Sequence, residues 1–161
     1  MEKDERAVGE VPANCHPKIR AIHDYWRRIH PETGLPGRQH FDPIDIPALL
    51  PHICLIDASG PQQEYVFRLM GTKLVNFFGA DFTGKPFVTA YNKATQALAY
   101  KDLRAMQTDH KVRWRRGRAS LVQNREYVIV ERIYLPFAQD GRTVNLMLGL
   151  LLAKYGDKDF D

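Results

Sequence analysis

The segment Gly79-Ala80-Asp81-Phe82-Thr83-Gly84-Lys85-Pro86 is one residue away from a phosphate-binding loop. Such a loop needs G-x-x-x-x-G-K followed by Ser or Thr, whose hydroxyl ligates magnesium beside the phosphates. Pro86 stands where that hydroxyl is required, and proline has no backbone N–H to turn toward an anion. The upstream side fails as well, because a buried strand should precede the loop and residues 72–78 read instead as a short helix. ATP binding is therefore set aside. The segment reads as punctuation: Gly79 ends one short helix, Gly84 frees the backbone to turn and Pro86 stiffens the turn.

Arg68 interrupts the apolar run 64–70, sharing one side with Val66 and Met70 while Tyr65, Phe67 and Leu69 take the other. A buried arginine there needs a carboxylate, from a small acidic ligand or from the protein itself, and the internal pair is favoured. The run Arg113-Trp114-Arg115-Arg116-Gly117-Arg118 is the one concentrated basic patch. A single-strand nucleic-acid groove would interleave several aromatic rings with the cations, and only Trp114 is present. A solvated edge strand blunted by charge is the preferred reading, and nucleic acid is disfavoured. His16, His23 and His30 are seven apart, about 10 Å along a helix axis, too far to share one metal ion. Neither His40 nor His52 has a partner at ligand spacing, and no nucleophile elbow is present, so no catalytic residue is assigned.

These groups need elements to position them. The chain has 161 residues, 44% hydrophobic and 26% charged, which suits one globular domain with a single core. A net charge of +4 is too modest to imply a polyanionic partner. No run is long and apolar enough for a membrane span, and the charged start Met1–Arg6 lacks a secretory pattern, so a cytoplasmic protein with free Cys15 and Cys54 is expected. Residues 1–14 read as a flexible tail, 15–155 as one domain and 156–161 as a second tail.

Cys15, Ile19, Ile22, Trp26 and Ile29 draw an apolar stripe down a helix. Asp42 and Pro43 open a short helix ending near Pro51. Strands follow at 53–57 and 64–70, joined by a turn at Ser59-Gly60-Pro61. The longest helix spans about 91–110, with Ala99, Leu103, Met106 and His110 on one stripe. Three strands close the chain at 111–122, 127–137 and 144–153, with turns at Asn124-Arg125 and Asp140-Gly141. The last is apolar on both sides, which places it centrally with both faces covered. The expected fold class is α+β: one antiparallel five-stranded sheet, helices on one face and the N-terminal helix packed nearby.

In this order the chain resembles the PAS family of sensory domains. The match is densest at Tyr65–Thr72 followed by Phe78–Lys85, with one glycine closing a short helix and another in a Gly-Lys pair five residues on. More narrowly it resembles the PAS_5-like group of small stand-alone bacterial proteins, through Trp26, Leu35-Pro36-Gly37-Arg38, Asp42-Pro43-Ile44-Asp45-Ile46, Leu49-Leu50-Pro51 and Leu135-Pro136-Phe137. About residues 20–153 are covered. The resemblance implies a non-enzymatic sensory or interaction module with a pocket between sheet and middle helices. The candidate lining is Arg68, Met70, Phe78, Leu103, Met106 and Trp114. A small organic ligand is the expected occupant. Flavin is disfavoured, because the reactive Cys of an Asn-Cys-Arg motif is absent. Haem is disfavoured too, since His110 is the one plausible axial ligand and a histidine there ordinarily meets the last helix carbonyls. A protein partner and a homodimer are expected, with output carried by that partner. The alternatives are a small α+β enzyme or carrier acting on an organic acid and, behind it, a nucleic-acid binder using Arg113–Arg118.

Overall fold

Apolar side chains on both faces force a strand to the middle of a sheet. The computed structural model, which describes residues 4–61, 64–119 and 128–155, follows that rule. The strand Val128–Phe137 (β5) is buried along its whole length, and Leu146–Tyr155 (β6) everywhere but its ends. They pair with each other at the centre of an antiparallel sheet ordered β1-β4-β5-β6-β2-β3. The remaining strands are β1 (Glu5–Val8), β2 (Ile53–Asp57), β3 (Val66–Met70) and β4 (Arg113–Ala119).

Six strands among the described residues correct the expected five. The extra strand lies inside the stretch that reads as a flexible tail. Glu5–Val8 pairs with Arg113–Arg116, and Gly9 N donates to Val112 O beyond it. The physical reason is the edge of β4, whose backbone donors and acceptors would otherwise lack partners. A four-residue polar strand has no hydrophobic alternation to announce it. The β4 strand is therefore interior, not the solvated edge that its charge suggests.

The other edge is covered by the punctuated loop. Gly84 N donates to Phe67 O (2.7 Å), Phe67 N to Lys85 O (3.1 Å) and Phe87 N to Tyr65 O (2.8 Å). Gly84 makes this approach at φ +84°, a conformation glycine adopts without steric cost. The amides of Gly84 and Phe87 serve the sheet edge, and Thr83 N is taken by Asp81 Oδ1. They do not converge into a phosphate cradle.

Helices cover the two faces. The first, α1 (Pro17–Arg28), starts where His16 Nδ1 accepts from Lys18 N and Pro17 occupies the first turn. Ile19, Ile22 and Trp26 are buried on it, as their spacing predicts, and the Trp26 indole donates to Pro136 O (2.9 Å). Asp42 caps the following segment through Ile44 N, also as expected. That segment, however, is a pair of 3₁₀ turns, Pro43–Asp45 and Pro47–His52. Prolines at 43, 47 and 51 remove an N–H every fourth residue and break an α-helical ladder. On the opposite face, α2 (Thr72–Phe78) ends at Gly79 in the left-handed conformation, and α3 (Lys93–Asp109) is capped by Asn92. The expected Asn124-Arg125 turn and the 156–161 tail lie outside the described residues.

Candidate functional site

Two adjacent charges stand in the most buried strand. Glu131 and Arg132 follow one another on β5, so their side chains leave the sheet on opposite faces. On the α3 side the Arg132 side chain is 8% exposed, and its Nη2 donates to Asp102 Oδ2 of α3 at 2.5 Å. Its guanidinium carbon sits 4.4 Å from the Tyr134 ring centroid, and Tyr134 exchanges a side-chain hydrogen bond with Tyr91. Burial alone would lower the arginine pKa; Tyr134, Asp102 and Tyr91 outweigh it and raise it, so the cation persists. Burial raises the pKa of both tyrosines as well. The Arg132 Nη1 atom is buried and has no hydrogen-bond partner.

The same face carries further polar clamps on α3. Arg113 holds Asp109 through Nη1 and Nη2, and burial of that carboxyl is outweighed by the Arg113 and Lys111 hydrogen bonds, which depress its pKa. Tyr65 donates to Gln107 Oε1 (2.7 Å), and Gln107 Nε2 donates to Ala58 O and Val144 O. Asp102 and Asp109 are seven residues apart, so the helix presents both to the sheet along one stripe. Gly149 lies beneath them, where an added Cβ would sit 2.8 Å from Cys54 Sγ and 3.1 Å from the Tyr134 ring. Burial pushes the Cys54 thiol up to about 12, so it stays protonated and inert.

On the α1 side Glu131 is wholly buried. Its carboxylate accepts from His16 N (2.9 Å), Trp114 Nε1 (3.1 Å), Arg116 Nε (3.0 Å) and Arg116 Nη2 (2.7 Å). Four donors on one carboxylate satisfy a charge that burial would otherwise make costly. The start of α1 is therefore tied to the residue that neighbours Arg132.

The PAS_5 family model, described as a PAS domain, matches residues 14–152. The chain belongs to the PAS family. Among solved structures, this PAS domain is similar to the LOV protein of Rhodobacter sphaeroides at 14% identity and a TM-score of 0.52, over 83% of this chain and 67% of that one. A variant of that protein matches at the same identity and score over 87% and 72%. An RNA-binding light-oxygen-voltage receptor matches with 12% identity and a TM-score of 0.55, over 93% of this chain and 38% of the receptor. At such identities the likeness is one of fold. Comparison with curated proteins found no match.

The PAS fold distributes the six expected pocket residues unevenly. Phe78, Leu103 and Met106 are buried on the α2–α3 side of the sheet, with Phe78 edge-on to Tyr91 at 5.5 Å. Met70 is half-buried, its sulfur accepting from Phe82 N, and it also borders an apolar groove of about 390 Å³ with Phe41, Leu50 and Leu55. Arg68 is not buried with them. The β2–β3 register shifts between Leu55 and Ile56, which leaves Arg68 as the bulged residue, 57% exposed and paired with Asp57. The internal carboxylate is thus its partner. Trp114 is on the α1 face, its indole donating to Glu131. His110 closes α3 in the left-handed conformation (φ 60°), its N–H on Met106 O, which is a helix-terminating role. Cys15 lies before α1 and is half-buried, and Cys54 is buried against Gly149.

Sequence reasoning missed Arg132, Asp102, Tyr134, Tyr91 and Glu131. A signal was present: Glu-Arg stands inside a ten-residue run that is otherwise apolar.

Proposed function

We propose that the chain is a non-enzymatic sensory or interaction domain of the PAS type, in which the state of the α3 side of the sheet is read at α1. The observation that carries this reading is the Glu131–Arg132 pair. A change in how Arg132 is engaged alters β5 at the position where Glu131 holds the first residues of α1. Pocket occupancy would then shift the population of α1 packing, and a signalling protein or a second copy of the chain would read that shift. A purified sample should be colourless between about 350 and 600 nm, and a haem or flavin band there would overturn the preference for a small organic ligand.

Hydrogen exchange tests the coupling. Arg132→Gln should raise amide exchange at 16–20, on the far face, more than a Leu103→Ala control with the same loss of Tm. Equal exchange in the two variants sinks the reading.

The RNA-binding receptor among the similar structures raises the nucleic-acid alternative. In this chain Arg113, Arg115 and Arg116 pair with Asp109, Asp4 and Glu131. Cations already held by carboxylates release fewer counterions on meeting phosphates, so the basic strand gives that alternative little support.

A further inference from the structure

We infer that the apolar groove between the 3₁₀ turns and the β2–β3 hairpin is an interface with a second copy of this chain, in which Ile44 of each copy fills the groove of the other. The inference rests on the sensory reading above for its meaning as an output, and it names the partner and the surface. The groove is apart from the space beneath α3. Cys54 faces Tyr134 and the α3 layer, so its neighbours Ile53 and Leu55, which line the groove, face the opposite layer.

The surface carries a hole and a knob side by side. The hole measures about 390 Å³, and Leu55, Leu69, Pro43, Pro47 and Pro51 are among its lining, with no acidic side chain. The knob is Ile44, next to the lining residue Pro43 and 83% exposed, while Leu69 within the groove is 41% exposed. The Asp42 cap on Ile44 N fixes the turn that carries the knob. A two-fold axis between a knob and a neighbouring hole makes such a surface complementary to itself.

Charges favour the same pairing. Asp42 and Asp45 flank Ile44, and among the described residues neither meets a cation; their oxygens take Ile44 N and the Tyr25 hydroxyl. Arg38 lines the groove, donates to Phe41 O and lies 5.1 Å from the Phe41 ring centroid, and among the described residues it meets no carboxylate. Seating Ile44 brings the free carboxylates of one copy toward the free arginine of the other, and the symmetry does so twice. The α1 helix has no comparable surface to offer, since Ile19, Ile22 and Trp26 are buried on its own sheet. It is instead fastened to the knob: Asp42 N donates to Tyr25 Oη (3.0 Å), and Tyr25 Oη donates to Asp45 Oδ2 (3.1 Å). Repacking of α1 would thereby move Ile44.

Sedimentation equilibrium of the full chain across the micromolar range tests the interface. The wild type should form a dimer and stop there. Ile44→Asp removes both anchors at once and should weaken the dimer about a hundredfold or more, with Tm unchanged because the side chain is exposed. Arg38→Glu should weaken it about tenfold. Ile44→Asp keeps an intact groove and Leu69→Asp keeps an intact knob, so a mixture of the two should associate more tightly than either alone. A monomeric wild type, a dimer that survives Ile44→Asp or Arg38→Glu, or a mixture no tighter than its components overturns the inference. Growth past the dimer also overturns it, because head-to-tail contacts do not close. A monomeric wild type whose Arg132→Gln variant still loosens 16–20 leaves the sensory reading standing, and a dimer without that loosening removes the reading alone.

Discussion

Single side chains in this domain are decided by which face of β5 they leave. Glu131 and Arg132 have opposite charges and adjacent positions, yet one organises the α1 layer and the other the α3 layer. His23 shows a comparable dependence on its surroundings. It is buried on α1 with Nδ1 unpartnered, and burial, followed by Arg27, lowers its pKa below the ordinary 6.5, with Arg20 adding to this and Asp24 and Glu10 opposing. The unfolded chain then binds a proton at higher pH than the folded one, so stability rises with pH across that interval. The His23 contribution is complete above about 6.5 and is lost as pH falls from there through the folded value. Thermal melts at pH 8, 7, 6 and 5 should show a steeper decline for the wild type than for His23→Phe. Parallel curves would mean that His23 does not fold as the neutral imidazole.

At the scale of elements, glycines report where the backbone or its neighbours leave no choice. Gly84 meets nothing within 4 Å of an added Cβ, but its φ is +84°. Gly84→Ala should therefore cost only backbone strain, about 1–2 kcal/mol. It should leave ATP binding at zero in both proteins, and measurable ATP affinity in the wild type would overturn the edge-covering role of the loop. Gly149 is the reverse case, with ordinary backbone and no space between Cys54 and Tyr134. Gly149→Ala should cost about 1–3 kcal/mol by overpacking, and Cys54→Ala on top should recover part of it in urea denaturation. Additive losses would show that the thiol is not what the new methyl meets.

For the molecule as a whole, the sheet is the middle of three layers, and α1 is fastened to it by packing and by directed hydrogen bonds. Trp26 buries its ring on the sheet and bonds Pro136 O, while His16 N at the start of α1 bonds Glu131. Trp26→Ala should cost about 3–5 kcal/mol in a single cooperative urea transition. A loss under about 1 kcal/mol, or a separate early transition, would mean that α1 folds independently of the sheet. Among the described residues no helix is long and apolar enough to cross a membrane.

Periodicity alone determined the helices expected at 15–29 and about 91–110 and the central place of the last strand, because side-chain direction repeats locally in helix and strand. Cap chemistry placed Asp42 and the close of α2 at Gly79 for the same reason: a cap is a contact within a few residues. The Gly79–Pro86 segment was legible as punctuation, but its use as cover for the β3 edge was not. That use depends on strand order, which no local pattern encodes. Tertiary structure alone decided that Glu5–Val8 is a strand, that a bulge turns Arg68 outward, and that Trp114 and Arg132 face different layers. It also decided that Asp102 and Asp109 of one helix meet Arg132 and Arg113 of two strands. The pairing energy of charges resides in distances between residues remote in sequence, and only the folded sheet sets those distances.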